Sequence, residues 1–109
     1  MSSDLHKGQC QACANGIHIL TEEVITSRLL EIPGWRVEAS ALLRDFHFKN
    51  FYETMAFVNA VAWVADRENH HPDMEVGYNH CLLRYSTHAV GGITENDFIC
   101  AQQVNGLLQ

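Results

Sequence analysis

Residues 50 to 72 read NFYETMAFVNAVAWVADRENHHP, and the architecture turns on them. Asn50 with Glu53 three residues on is an Asn version of the capping box, in which side chains satisfy the free backbone N–H groups of a helix start. Phe51, Met55, Val58, Ala62 and Ala65 then recur at spacings of 4, 3, 4 and 3, the period of one apolar helix face. Pro72 disfavours helical geometry at His71. The pattern therefore predicts a helix from Asn50 to about Glu68, with Asn69-His70-His71-Pro72 in the loop behind it.

On the N-terminal side, Leu42 to Phe48 and Trp35 to Glu38 are short aromatic and aliphatic segments separated by Ala39-Ser40-Ala41, which predicts two antiparallel strands. Leu42, Phe46 and Phe48 are expected on one face. Before them, Thr21 is a good N-cap, Glu22 and Glu23 suit the positive end of a helix dipole, and Ile25, Leu29 and Ile32 predict a helix to about Ile32, stopped by Pro33-Gly34. Residues 1 to 20 read as an N-terminal arm, and 21 to 109 as one domain.

On the C-terminal side, Val76 to Tyr78 and Cys81 to Thr87 predict a second strand pair turning at Asn79-His80, followed by a loop with Gly91-Gly92. A last helix opens at Thr94, with Glu95 and Asp97 in its first turn and Phe98, Ala101, Val104 and Leu108 as its apolar stripe. The order α-β-β-α-β-β-α lacks the crossovers of a doubly wound sheet. It predicts an α+β fold, a four-stranded antiparallel sheet with three helices on one face.

Composition narrows function. The 109 residues hold 7 Lys+Arg against 13 Asp+Glu, a formal charge of −6, and no basic run, which argues against tracking a phosphate backbone. The 47% hydrophobic content supports one core. No apolar run approaches the ~20 residues of a membrane span, and Met1 to Gln11 is too polar for a secretory h-region, so the expected setting is the cytoplasm. Cys81 and Cys100 sit in apolar stretches and read as small packed hydrophobes.

Seven histidines invite a search for metal or proton chemistry. His6, Cys10, Cys13 and His18 have spacings that match no structural zinc module, and the arm reads as flexible and reduced. His47 and His80 read as solvated side chains, and Trp35 and Trp63 as core or interface residues. His70 and His71 stand where a helix C-terminus favours a protonated ring. In a hairpin turning at Asn79-His80, paired numbers sum to about 159 to 161, so His88 falls opposite residues 71 to 73, with Ser86 and Thr87 as hydroxyl donors alongside. Adjacent histidines in a tight loop do not readily converge on one metal ion, and no His-Glu-x-x-His motif is present. Rings in different environments suit paired acid and base roles on a small molecule.

Ile32-Pro33-Gly34-Trp35, Phe48-Lys49-Asn50-Phe51, His70-His71-Pro72 with Tyr78-Asn79, Ser86-Thr87-His88 and Gly92-Ile93-Thr94 with Asp97 stand in an order and spacing that resembles the pterin-4a-carbinolamine dehydratase family over about residues 21 to 105. The resemblance implies the same fold, assembled as a homodimer or homotetramer. It implies dehydration of 4a-hydroxytetrahydrobiopterin to quinonoid dihydropterin without metal or organic cofactor, recycling the cofactor of aromatic amino-acid hydroxylases such as phenylalanine hydroxylase. It places catalysis on His70, His71 and His88, with His70 as the acid. Pterin contacts fall on Asn69, Pro72, Ser86 and Thr87, and supporting roles on Asp66 and Asp97. Met74 stands where animal members have Trp, and the Cys10/Cys13 arm is absent from the animal pattern. The animal member is also a dimerisation cofactor for a homeodomain transcription factor, so the alternative reading is a non-catalytic assembly module on the same fold.

Overall fold

In the computed structural model, which describes residues 17–108, an antiparallel sheet carries three helices. In chain order the elements are α1 (Glu22–Arg28), running into a 3-10 turn (Leu29–Glu31), β1 (Arg36–Glu38), β2 (Ala41–His47), α2 (Phe51–Glu68), β3 (Asp73–Val76), β4 (His80–Tyr85) and α3 (Glu95–Gly106). The strands lie in the order β1-β2-β4-β3. Cys81, Leu83 and Tyr85 alternate to one side of β4 and join Leu42 and Phe46 of β2 against Phe57 and Val61 of α2 and Phe98, Ala101 and Val104 of α3. Leu20, Ile25 and Leu29 pack on the same cluster. Each such large side chain taken from water contributes about 1.5–3 kcal/mol. Burial also pushes the Cys81 thiol up to about 11, which keeps it protonated and unreactive at neutral pH. His6, Cys10 and Cys13 lie outside the described residues.

The expected caps form. Thr21 Oγ1 accepts from Val24 N–H at 3.3 Å, and Asn50 Oδ1 accepts from Glu53 N–H at 2.9 Å while Glu53 Oε1 accepts from Lys49 N–H at 3.0 Å. The core face of α2 differs from the predicted one. The buried residues are Thr54, Phe57, Val61 and Val64, whereas Phe51 and Ala62 are exposed and Met55, Val58 and Ala65 half-buried. Apolar residues surround this helix, so periodicity alone fits two stripes. Thr54 makes the choice possible because its hydroxyl reaches both Asn50 O and Tyr78 O at 2.9 Å and is buried at no polar cost.

Other boundaries shift for local reasons. The first helix loses α geometry at Arg28 and finishes as the 3-10 turn, which brings Ile32 into the core. Leu108 is exposed beyond the end of α3 and takes no part in its stripe. β3 begins directly after Pro72, where the backbone is already extended, and it pairs Asp73 with Arg84 and Val76 with Cys81. A three-residue connection, Gly77 to Asn79, replaces the expected two-residue turn. His80 packs over Gly77 so closely that an added Cβ would lie 2.5 Å from its Nε2.

The β1–β2 turn is shorter than expected, because Ala41 already pairs with Glu38. Ala39 and Ser40 both hold positive φ, 51° and 62°, the requirement of a type I′ turn that Asn-Gly meets best. Left-handed geometry costs an L-residue about 1–2 kcal/mol. The double substitution Ala39→Asn with Ser40→Gly is therefore expected to stabilise the fold by about 1 kcal/mol, raising Tm by roughly 4–8 °C in a domain of this size. A thermal melt with an unchanged or lowered midpoint would contradict this account of the turn.

Candidate active site

The chain leaves α2 through a left-handed residue. Asn69 has φ 53°, and the His70 N–H bonds back to Ala65 O at 3.1 Å, the six-to-one closure of a Schellman cap. The reversal turns His70 inward while His71 stays exposed, so consecutive imidazoles enter different environments. The end of α2 is tied to α3, since Gln103 Nε2 donates to Glu68 Oε2 at 2.9 Å and its Oε1 accepts from Arg67. Arg28 grips Glu95 with two hydrogen bonds of 2.6 and 2.7 Å, fixing the start of α3 against α1.

His70 is nearly enclosed, its side chain 10% exposed, and its Nε2 lies 2.6 Å from Oδ1 of Asp97, which is fully buried. Its ring stacks on Tyr85 at 5.8 Å between centroids and 10° between planes. The Cys100 thiol donates to the His70 carbonyl at 3.8 Å. Asp97 belongs to a capping box, accepting the Thr94 N–H on Oδ2 at 2.9 Å. The same oxygen accepts the Thr87 hydroxyl at 2.9 Å. Asp97 thus joins a helix start, a buried hydroxyl and an imidazole.

His71 and His88 form a second, exposed pair with ring centroids 6.4 Å apart. His71 Nδ1–H donates to Pro72 O at 3.3 Å, which leaves Nε2 as the lone-pair nitrogen. The expected meeting of His71 and His88 therefore occurs, but not through the expected register. Continued past β4, the observed pairing would set His88 opposite Asn69 rather than residues 71 to 73. Instead the strand ends at Tyr85, Thr87 bridges to Gly92, and the intervening loop closes with Gly91 N–H bonding to Thr87 O at 2.9 Å and Gly91 at φ 71°.

The remaining predicted positions separate. Pro72 is buried, Ser86 half-buried and Asn69 exposed beside the histidines. Thr87, expected as a pterin contact, is 1% exposed with its hydroxyl spent on Thr94 and Asp97, so its side chain faces the protein instead. Asp66 is exposed on α2, and its backbone carbonyl caps the helix end by accepting Asn69 N–H at 3.3 Å. The carboxylate that meets an imidazole here is that of Asp97. Sequence reasoning missed Tyr85 and the role of Thr94. The Thr94-x-x-Asp97 spacing of a capping box was the available signal for the latter.

Away from the site, Asp45 lies between His80 Nδ1 at 3.0 Å and His47 Nε2 at 3.5 Å. Trp35 is buried and donates to Asn105 Oδ1 at 2.8 Å, whereas Trp63 is exposed under the Arg67 guanidinium. Among the described residues no group of three or more His, Cys, Asp or Glu is placed to hold a metal ion, and no helix is long and apolar enough to cross a membrane.

Residues 18–107 match the profile of a family described as pterin 4 alpha carbinolamine dehydratase. A Nitrosospira multiformis protein carrying the name pterin-4-alpha-carbinolamine dehydratase is 49% identical over 106 residues, covering 97% of this chain and 94% of its own. A Legionella pneumophila protein of the same name is 50% identical over 111 residues, covering 99% and 98%. The crystal structure of a transcriptional coactivator/pterin dehydratase from Brucella melitensis superposes with a TM-score of 0.81 at 30% identity, over 84% of this chain and 100% of that one.

Proposed function

We propose that this chain, which belongs to the pterin-4a-carbinolamine dehydratase family, divides the proton transfers of the family's reaction among His70, His71 and His88. The reaction removes water from a 4a-hydroxytetrahydropterin. The C4a–O bond breaks as the hydroxyl takes up a proton and leaves as water, and loss of the N5 proton completes the C4a=N5 bond of the quinonoid dihydropterin. One proton is delivered and one removed on the same bound ring, which asks for an acid and a base held apart in environment.

The 2.6 Å contact between His70 and buried Asp97 carries the assignment. A carboxylate behind an imidazole meets the positive charge of the protonated ring, so His70 is the acid for the departing hydroxyl. His71, with Nε2 carrying its lone pair, accepts the N5 proton, and His88 beside it shares binding and proton removal. Asn69, Pro72 and Ser86 frame the pterin. On this reading the substrate is supplied in the cytoplasm by an aromatic amino-acid hydroxylase, with phenylalanine hydroxylase as the expected source.

Assembly as a homodimer or homotetramer belongs to the same proposal. Tyr52 and Trp63 on the outer side of α2 are 82% and 60% exposed, and Tyr52, Ala56, Ala60 and Leu107 line an apolar groove there, which suits a second copy of the chain.

Micromolar protein mixed with freshly generated 4a-hydroxytetrahydrobiopterin is expected to speed its decay. His71→Ala and His88→Ala should each slow that decay by about 10-fold to 100-fold. Both side chains are exposed, so the circular dichroism spectrum should be unchanged. No acceleration by the native protein would overturn the function, and full activity in both variants would overturn the roles given to the exposed pair.

A further inference from the structure

The hydrogen bonds behind His70 have a direction that can be counted. Thr94 Oγ1 accepts from Asn96 N–H at 3.2 Å and from Asp97 N–H as the N-cap of α3. Both acceptor sites of that hydroxyl are occupied, so its proton is given away. Thr87 Oγ1, 2.7 Å distant, receives it. Thr87 then donates its own proton to Asp97 Oδ2 at 2.9 Å, where the Thr94 N–H also donates at 2.9 Å. Thr87, Thr94 and Asp97 are essentially without solvent exposure. Every proton in this chain therefore points toward the carboxylate.

Two donors on Oδ2 engage that oxygen and hold the carboxylate against rotation. Oδ1 is left to face His70 Nε2 at 2.6 Å, and an ionised oxygen can only accept there. His70 consequently keeps a proton on Nε2, and Nδ1 is the atom of the ring that exchanges protons with a ligand.

We propose that Thr87 is a positioning residue for the dehydration: its hydroxyl, aligned by Thr94, holds Asp97 so that His70 keeps its Nε2 proton throughout and, as the imidazolium, delivers the second proton from Nδ1, returning to the Nε2–H tautomer. The proposal rests on the role given to His70 above. Thr87 acts through Asp97 and touches no substrate with its side chain, although its neighbour His88 does.

Thr87→Val removes the hydroxyl at constant shape, and Thr87→Ser keeps it. The Val variant is expected to lower kcat by about 10-fold to 100-fold with KM changed less than about 3-fold, and the Ser variant to recover most of the rate. Nitrogen-15 NMR of the native protein should show neutral His70 as the Nε2–H tautomer, with the Val variant shifting toward a mixture. A native Nδ1–H tautomer overturns the proposal, and this readout needs no variant to fold and no activity to be present. A Val variant with unchanged kcat, a loss confined to KM, or a Ser variant as slow as the Val variant overturns it as well. If the native protein fails to dehydrate the carbinolamine while the Nε2–H tautomer is found, the function fails and the hydrogen-bond assignment stands.

Discussion

His70→Ala is expected to lower kcat/KM for carbinolamine dehydration by about 10²- to 10⁴-fold, the range over which positioned general acids act. Neither of the other two imidazoles of the site combines enclosure with a charged partner, since His71 and His88 are exposed. The substitution also has a structural consequence, and the two can be separated by size. Asp97 keeps the Thr94 N–H and the Thr87 hydroxyl on Oδ2, while Oδ1 loses the His70 Nε2 partner and faces the space that the ring vacates. Loss of the Tyr85 stack and of one charge-assisted hydrogen bond costs about 1–3 kcal/mol, small enough to leave a cooperatively folded domain. Stopped-flow decay of the carbinolamine, set beside a thermal melt, makes the comparison. A rate within about 3-fold of native in a folded His70→Ala protein would place the acid elsewhere.

Much of this arrangement is legible in the sequence, and the reasons for the remainder are specific. The helix over 51–68 announces itself through Asn50, Glu53 and Pro72, which act on the backbone next to them. Its core face does not, because Tyr52, Ala56, Ala60 and Trp63 supply apolar surface on the side away from Thr54 and Val61. Only the sheet decides which stripe is covered. The β3–β4 register is likewise a property of the pair. Gly77 admits the His80 ring and lengthens the connection, and nothing in the alternation of Met74, Val76 and Leu83 foretells it.

The site shows the same division. Pattern brings His70, His71 and His88 to one end of the sheet, yet it cannot tell which ring is enclosed, because that depends on the left-handed turn at Asn69. In the sequence Asp66, four residues before His70, is the carboxylate expected to orient an imidazole, while Asp97 also reads as a helix-start carboxylate. Asp66 lies on a helix face turned to solvent, whereas Asp97 is carried to His70 by the docking of α3 on β4. Thr87 looks like a ligand contact because it precedes His88. Strand alternation continued two residues past Tyr85 sends Ser86 and Thr87 to different sides, and Thr87 to the inside.

Asp97 is where stability and catalysis meet, and two substitutions pull them apart. Asp97→Ala removes the acceptor for the Thr94 N–H, the Thr87 hydroxyl and His70 Nε2 at once, all in a buried place. Each stranded donor costs about 1–3 kcal/mol and the lost cap about 1 kcal/mol, so destabilisation of about 3–5 kcal/mol is expected, with a large fall in Tm. Asp97→Asn keeps the shape and one acceptor oxygen but brings two N–H donors. If its oxygen stays with Thr94 and Thr87, its NH₂ faces His70 and forces Nε2 to accept, which moves the ring proton to Nδ1. The reversed tautomer has its lone pair toward the protein and no longer suits proton delivery from the Asp-paired ring. The expected result is a folded protein, destabilised by about 1–2 kcal/mol, whose kcat falls by about 10²- to 10⁴-fold with little change in KM. Chemical denaturation and carbinolamine decay measured on both variants give the test. Equal stability of the two would show that the acceptor at Oδ2 does not hold the start of α3, and near-native kcat in Asp97→Asn would show that the tautomer of His70 does not govern the reaction.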